Sequence, residues 1–343
     1  MSLRAWRGFA VLAAVWICHA PATLGSEKRD FSYKGKVRID TPIRAIYQTD
    51  EGEIPAKDRI RISFYNIETF TDGEGDGPLR TPERREAQTK NAADLIGEID
   101  PDILFLAEIE NEHALRLLNN ALDRPFPFGW VTAYAREDGR EEKLNHALLS
   151  RIRPSRVLEM DFGPLQGAGR PPRGVLRAEF QLDNNRPLIV YAVHLKSNYG
   201  YRPLNLYKRK HALSIVAADA RALQESGAPC ELLIVGDFNN DPRAPEFADD
   251  WSLEQLRGWY DLWQDIPFPD RVTCPTRRGN PEREFPPVAF DRIYAGGDAT
   301  NRPWVAASPG VLQRGVDVRN ADALPGDGGH ISDHYPVWID LVR

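Results

Sequence analysis

Short, unbroken apolar runs recur along this chain, and each ends abruptly in acids, amides or histidines. ILFLA (103–107), PLIVYAVHL (187–195) and ELLIV (231–235) lack the polar alternation of a half-exposed strand and are short for helices. Runs of this kind suit strands buried on both faces. Stretches with helical spacing lie between them. Thr81 before Pro82 marks a helix start, Ala92, Leu95, Ile96 and Ile99 form its apolar face, and Asp100-Pro101 stops it. Further helices are predicted at about 112–122 and 204–225. In RIRISFYN, Ile60, Ile62 and Phe64 alternate with Arg61, Ser63 and Tyr65, which predicts a half-buried strand opening the fold. Other strands are expected near 128–135, 144–150, 174–182, 288–294 and 335–342. No fixed-period repeat is visible, which argues against solenoids and propellers. Strands and helices mixed in one unbroken chain predict an α/β sandwich, two sheets covered by helices.

Composition narrows the class. The chain has 343 residues, 42% hydrophobic and 27% charged, which excludes disordered, collagen-like and coiled-coil readings. Its net charge of −6 argues against a protein held on nucleic acid by bulk positive charge. Residues 1–25 carry Arg4 and Arg7, an apolar run from Phe9 to Cys18, then Ala20, Ala22 and Gly25. That order reads as a secretory signal peptide, so the protein is expected to be secreted or periplasmic. Residues 26–57 form a polar lead-in segment and 58–343 the functional domain. No other apolar stretch reaches membrane-spanning length, so no stable membrane anchor is expected, and a monomer is expected. The mature chain keeps Cys230 and Cys274, whose pairing the sequence leaves open. Neither lies in a Cys/His cluster, which argues against a structural zinc site.

The polar residues gather at strand ends. The first strand ends in Asn66-Ile67-Glu68, the second in Glu108-Ile109-Glu110-Asn111, and a later one in His194-Leu195-Lys196-Ser197-Asn198. ELLIV runs into Gly236-Asp237-Phe238-Asn239, another strand carries Asp291-Arg292, and the last is preceded by Ser332-Asp333-His334. One such end is usually a plain turn. Six together, at the places where α/β folds build ligand sites, point to chemistry. The residue types suit phosphate-ester hydrolysis. Glu108, Asp333 and Asn66 are hard oxygen donors, fitting Mg²⁺ and also Mn²⁺ or Ca²⁺. Asp237 suits the deprotonation of water, and Asn239 a contact to a phosphoryl oxygen. A histidine backed by an acid, His334 with Asp291, suits a charged transition state, and His194 the leaving-group side.

These pieces resemble the endonuclease/exonuclease/phosphatase superfamily, which includes pancreatic deoxyribonuclease and bacterial abasic-site endonucleases. The matching segments are NIE (66–68), ILFLAEIEN (103–111), HALLSR (146–151), VHLKSN (193–198), VGDFNND (235–241), FDRIYAG (290–296) and SDHYPV (332–337). They occur in the family's order over about residues 58–343. LAEIEN with HLKS looks most like secreted bacterial nucleases. The resemblance implies a four-layer α/β sandwich of two mixed β-sheets flanked by helices, and Mg²⁺-dependent cleavage of phosphoesters. It places Asn66, Glu108 and Asp333 at the metal, Asp237 and Asn239 on water and phosphate, and Asp291 behind His334. His194 matches a histidine of the deoxyribonuclease-like branch, with Glu137, Glu141 and Glu142 as candidate acidic partners.

Asn145, Lys196, Asn198 and Lys208 are candidate substrate contacts. Lys208, Arg209 and Lys210, with Tyr201 and Arg202, read either as a grip on a nucleic-acid backbone or as a solvated helix start. Asp72, Glu74 and Asp76 resemble a calcium loop without its closing Glu and read as a turn. His330 reads as a loop residue. The expected partner is nucleic acid or another phosphate ester, and a non-specific nuclease is the leading reading. The alternatives are a phosphatase or phosphodiesterase on inositol phosphates or sphingomyelin-like lipids, with FPFGW (126–130) and WYDLW (259–263) as membrane-contact candidates, and an inactive binding module on the same fold.

Overall fold

The computed structural model describes residues 39–49, 58–75, 77–134, 142–161, 169–182, 186–227, 230–296 and 304–343. The expected signal peptide, Glu137 and Glu141 lie outside them. In chain order the strands are β1 (Ile39–Pro42), β2 (Tyr47–Gln48), β3 (Arg59–Phe70), β4 (Ile103–Ile109), β5 (Phe128–Val131), β6 (Asn145–Ser150) and β7 (Arg156–Asp161). There follow β8 (Val175–Phe180), β9 (Leu188–His194), β10 (Glu231–Asp237), β11 (Tyr260–Asp261), β12 (Asp291–Gly296), β13 (Val305–Val311) and β14 (Val337–Val342). The α-helices are α1 (Pro82–Ile99), α2 (Glu112–Asn120), α3 (Arg202–Glu225) and the short α4 (Phe268–Arg271).

Among the described residues these strands form two mixed sheets, ordered β1-β7-β8-β9-β10-β12-β11 and β13-β14-β3-β4-β6-β5-β2. Their inner faces share one apolar core, in which Ile62, Phe64, Phe105 and Ile339 meet Leu176, Val190, Val235 and Ile293. The outer face of the second sheet packs on α1 and α2 through Tyr65, Leu106, Leu95 and Leu115. The outer face of the first packs on α3 through Tyr191, Ile234, Leu213 and Val216. The molecule is therefore the four-layer α/β sandwich that the sequence implied. Alternation misled in one place. Ser63 and Tyr65 are as buried as Ile62 and Phe64, so β3 is covered on both faces. The Ser63 hydroxyl is satisfied there by donating to the carbonyl of Val337 (2.8 Å).

Helix starts follow their local chemistry. Thr81 caps α1, accepting from the amide of Arg84, with Pro82 in the first turn. Asn111 caps α2, accepting from the amide of Ala114. The lead-in segment contributes edge strands: β1 pairs with β7 and β2 with β5.

Topology gathers the strand ends. β3 is parallel to β4 and β9 to β10, so Asn66, Glu108, His194 and Asp237 all leave at carboxyl ends. β12 and β14 run antiparallel to β10 and β3, so Asp291 at the start of β12, and Asp333 and His334 just before β14, arrive at the same end. Within the first sheet His194, Asp237 and Asp291 share one rung: Asp237 pairs with His194 across β9 and with Asp291 across β12.

Candidate active site

Two local distortions aim the second sheet's donors. On β4, Ala107 and Ile109 oppose His146 and Asn145, so Glu108 is an extra residue in a β-bulge. Its φ of 67° lies in the left-handed region, where residues with a Cβ are strained. The register between β3 and β4 shifts at the same level, between Asn66 and Phe70, where Glu68 (φ 47°) and Thr69 (φ 45°) are also left-handed. The freed amide of Thr69 donates to Glu108 Oε2 (2.8 Å) and fixes the carboxylate. In the first sheet Gly236 allows the close approach of strands: a Cβ there would lie 2.1 Å from the carbonyl oxygen of Val193. Asn239, at φ 49°, turns the chain back so that its amide donates to Asp237 Oδ1 (2.8 Å).

The predicted residues converge. Asn66 Nδ2 donates to Asp237 Oδ2 (3.1 Å) and Glu108 Oε1 (3.3 Å), joining the two sheets. His194 Nε2 lies 3.5 Å from Asp237 Oδ2 and 3.7 Å from Glu108 Oε1. His334 Nδ1 donates to Asp291 Oδ2 at 2.7 Å, and its Nε2 faces Asp237 Oδ2 and Asp333 Oδ1, each at 3.8 Å. Asn239 Nδ2 donates to the carbonyl of Leu195 (3.1 Å). Ser332 anchors the last segment by donating to the carbonyl of Asn66 (2.7 Å).

The electrostatics assign different states to the two histidines. Burial alone would lower the pKa of His334, but Asp291, Asp333 and Asp237 raise it well above the ordinary value, so it stays protonated. Burial and the neighbouring Arg173 cation push His194 well below its ordinary value, so it stays neutral. Burial pushes the Asp237 carboxyl up to about 7, near the value that suits a general base at neutral pH. Burial raises Glu108 and Asp333 as well, with added repulsion from Asp333 at Glu108 and from Glu68 at Asp333. Carboxylates that a like-charged neighbour pushes toward protonation are groups whose charge a cation would relieve. Their donor atoms are oxygens, which fit a hard divalent ion.

Several candidates prove to shape loops. Asn145 donates to the carbonyls of Glu110 (2.9 Å) and Glu142 (2.7 Å) and accepts from the amide of Tyr134 (3.1 Å). Lys196 Nζ donates to Ser197 O (3.1 Å), Ser197 Oγ (2.9 Å) and Tyr199 O (2.9 Å), which occupies its three hydrogens. Asn198 donates to the carbonyl of Asn239 (3.0 Å), tying the β9–α3 loop to the site. Lys208 is half-buried on α3 and helps to lower the pKa of Lys196.

The basic run is not a uniform surface. Arg209 is fully buried, ion-paired to Asp250 (2.6 Å) and donating to the carbonyl of Lys196 (3.0 Å), because its face of α3 meets the Asp250–Ser252 turn and the β9–α3 loop. Lys210 pairs with Glu254 and Arg202 with Asp249 (2.5 Å). Glu142 Oε1 accepts from the amides of Lys143 (3.0 Å) and Leu144 (3.2 Å), so it serves its own turn instead of His194. His330, expected as a loop residue, is buried with Nε2 3.2 Å from Glu68 Oε2. In FPFGW, Phe126, Phe128 and Trp130 are buried, which removes it as a membrane-contact candidate. Among the described residues no helix is long and apolar enough to cross a membrane.

Two residues near the site escaped the sequence reading. Arg173 is buried, its Nε donating to the carbonyl of His194 (3.4 Å), and it lowers the pKa of Glu108, His194 and Lys196. Its only signal was an arginine in the irregular stretch GRPPRG just before β8. Cys274 is a free thiol, as is Cys230, with Sγ 3.3 Å from His334 Nδ1.

Comparison with known proteins agrees with this geometry. A family model described as Endonuclease/Exonuclease/phosphatase family matches residues 64–334. A search of curated proteins found no match. Among solved structures, D. rerio TDP2 complexed with single strand DNA product is 15% identical, with a TM-score of 0.52, over 84% of this chain and 100% of that one. A functionally unknown conserved protein from Enterococcus faecalis V583 is 17% identical, with a TM-score of 0.54, over 82% of this chain and 99% of that one. An endonuclease/exonuclease/phosphatase family protein from Bacteroides thetaiotaomicron is 16% identical, with a TM-score of 0.51, over 83% and 97%. At these identities the likeness is one of fold.

Proposed function

The chain belongs to the endonuclease/exonuclease/phosphatase family and is a metal-dependent phosphoric ester hydrolase, and on that premise we propose that it is an exported, non-specific nuclease cleaving phosphodiester bonds of DNA. The observation that carries the reading is the convergence of two histidines on Asp237, with His194 Nε2 at 3.5 Å, His334 Nε2 at 3.8 Å and His334 held by Asp291 at 2.7 Å. Environments that push neighbouring groups apart in pKa assign acid and base roles. Asp237 takes the proton of the attacking water, held in place by Asn66 and the amide of Asn239. His334, kept protonated by Asp291, places positive charge against the oxygens of the reacting phosphate. Arg173 adds a second buried cation behind His194, suited to a phosphodiester that carries charge through the reaction. His194 lies within reach of Asp237 and Glu108; held neutral by burial and Arg173, it is suited to accept a hydrogen bond there and not to protonate a leaving group.

Glu108, Asn66 and Asp333 are the residues that would hold Mg²⁺, or Mn²⁺ in its place. When bound, such an ion supplies Lewis-acid stabilisation of charge on phosphoryl oxygen. Tyr199 (59% exposed) and Tyr201 (54% exposed) stand on the β9–α3 loop that Asn198 ties to the site. Exposed aromatic rings beside a phosphate-handling centre suit the stacking of nucleic-acid bases. The D. rerio TDP2 structure holds a DNA product on the same fold. Export is supported by the signal-peptide pattern of residues 1–25.

The test is supercoiled plasmid incubated with purified protein and Mg²⁺ or Mn²⁺, beside samples with EDTA and with Asp237→Ala. Nicking and linearisation that both controls abolish is the expected outcome. Intact plasmid with a folded enzyme refutes the nuclease reading and directs the assay to small or lipid phosphoesters.

A further inference from the structure

Beneath the catalytic dyad lies a side-chain group that phosphoester hydrolysis does not call for. Cys274 enters at an isolated β-bridge with Val288, in the long segment between α4 and β12. Its Sγ lies 3.3 Å from His334 Nδ1, 3.7 Å from His334 Nε2 and 3.9 Å from Asp291 Oδ2. Cys274 Sγ, a ring nitrogen of His334 and a carboxylate oxygen of Asp291 lie within 4.8 Å of one another. Asp291 is fully buried, and its second oxygen, Oδ1, has no hydrogen-bond partner among the described residues. A buried carboxylate oxygen without a donor is costly and invites a cation.

We propose that Cys274, Asp291 and His334 form a binding site for a thiophilic divalent cation of the zinc class, and that occupancy of this site switches the enzyme off.

The donor set is sulfur, imidazole and carboxylate, which zinc accepts and magnesium does not. Zinc-ligand bonds of about 2.0–2.3 Å in a tetrahedron place donor atoms roughly 3.3–3.7 Å apart. The sulfur–nitrogen separation is 3.3 Å, but Sγ is also 3.7 Å from Nε2 and so lies over the ring face, and the Cys274 side chain must swing toward the Nδ1 edge to share an ion with it. The sulfur–oxygen separation is 3.9 Å, and the nitrogen–oxygen separation of 2.7 Å opens once its hydrogen bond is gone. The hard-oxygen set of Glu108, Asn66 and Asp333 is separate in donor chemistry, so one ion need not exclude the other.

The exchange balances. The cation enters with two positive charges, and two protons leave to solvent. One comes from the Cys274 thiol, whose sulfur pair becomes a ligand. The other comes from the His334 Nδ1–H directed at Asp291, whose nitrogen pair becomes a ligand. Nothing is oxidised or reduced, and the net charge of the site does not change. His334, however, is converted from imidazolium to a neutral ligand, and the charge it holds for the transition state is lost.

The test uses the full chain with Cys18→Ser and Cys230→Ser, which leaves Cys274 as the single thiol of the three cysteines. Cadmium is titrated in magnesium-free buffer, and the ultraviolet thiolate-to-cadmium charge-transfer band is followed. We expect a band that saturates at one equivalent and is lost on Cys274→Ser or Cys274→Ala. Asp291→Asn in the same background should keep the band but weaken the titration about tenfold or more. In parallel, zinc should inhibit magnesium-driven hydrolysis of a small chromogenic phosphodiester, with the half-inhibitory concentration raised at least about tenfold by Cys274→Ser. Each protein is compared with its own zinc-free rate, and circular dichroism verifies folding. A folded single-thiol protein without the band, a band that survives Cys274→Ser, or a titration unmoved by Asp291→Asn overturns the proposal. Zinc inhibition that Cys274→Ser leaves unchanged overturns the switching role. The spectroscopic arms need no turnover, so they decide the site even if nuclease activity is absent.

Discussion

The His146 ring, fully buried on β6, should make the fold acid-sensitive by a calculable amount. The Tyr134 ring meets it edge-on at 5.7 Å, and the Tyr134 hydroxyl lies 3.1 Å from Nδ1. Burial, with Arg173 nearby, pushes its pKa down from 6.5 to about 3. The native state therefore refuses a proton that the unfolded chain accepts between those values. Stability from this group is complete above pH 6.5 and falls as pH drops toward 3, because the unfolded state then binds more protons. The slope is about 1.4 kcal/mol per pH unit, so some ~2 kcal/mol is lost between pH 6.5 and pH 5. His146→Asn keeps an acceptor for the Tyr134 hydroxyl and removes the titrating ring. Urea unfolding followed by tryptophan fluorescence, at pH 7 and pH 5, measures both proteins. The variant should be the less stable at pH 7, because it leaves a void. At pH 5 the gap should narrow by ~2 kcal/mol or reverse. A gap of equal size at both pH values would refute the argument that His146 is held neutral.

Three further outcomes follow from the site. Asp291→Asn removes the partner that keeps His334 charged, and should lower kcat by about 10²–10⁴-fold while circular dichroism stays native; a fully active variant removes the dyad from the mechanism. Arg173→Ala should lower kcat/KM on phosphodiesters by roughly 10–100-fold, the worth of one charged hydrogen bond of about 1.5–3 kcal/mol; steady-state kinetics showing no change would make Arg173 purely structural. Gly236→Ala forces a methyl group onto the Val193 carbonyl and should cost about 1–3 kcal/mol in urea unfolding; an unchanged midpoint would show that β9 and β10 can part without cost.

Much of this was legible in the sequence, for identifiable reasons. ILFLA and PLIVYAVHL announced buried strands because both their faces are covered, and Thr81-Pro82 announced α1 because capping is a local matter. The dyad and Asp237 were legible because strands that start or stop at one level of a sheet bring their terminal residues together. Edge strands were harder. β7 and β13 passed unpredicted, since strands at or near a sheet edge have fewer apolar positions to show. Roles set by tertiary partners were beyond reach. Arg209 looks like part of a solvated basic run until Asp250, 41 residues on, claims it. Lys196 and Asn145 look like substrate donors until neighbouring carbonyls use their hydrogens. Arg173 and Cys274 sit in irregular segments, where nothing periodic reveals what a side chain will meet.

The single rung that holds His194, Asp237 and Asp291 divides the chain into parts with different freedom to change. A residue inserted or deleted within β9, β10 or β12 would turn the reactive side chain to the opposite face of its sheet, so the reacting centre tolerates no drift in length. The β9–α3 loop past Asn198 and the segment between Cys274 and Val288 lie beyond that rung and its direct contacts and can lengthen, shorten or change character at less cost to it. A lineage built this way can exchange one phosphate ester for another many times over while its reaction stays the same.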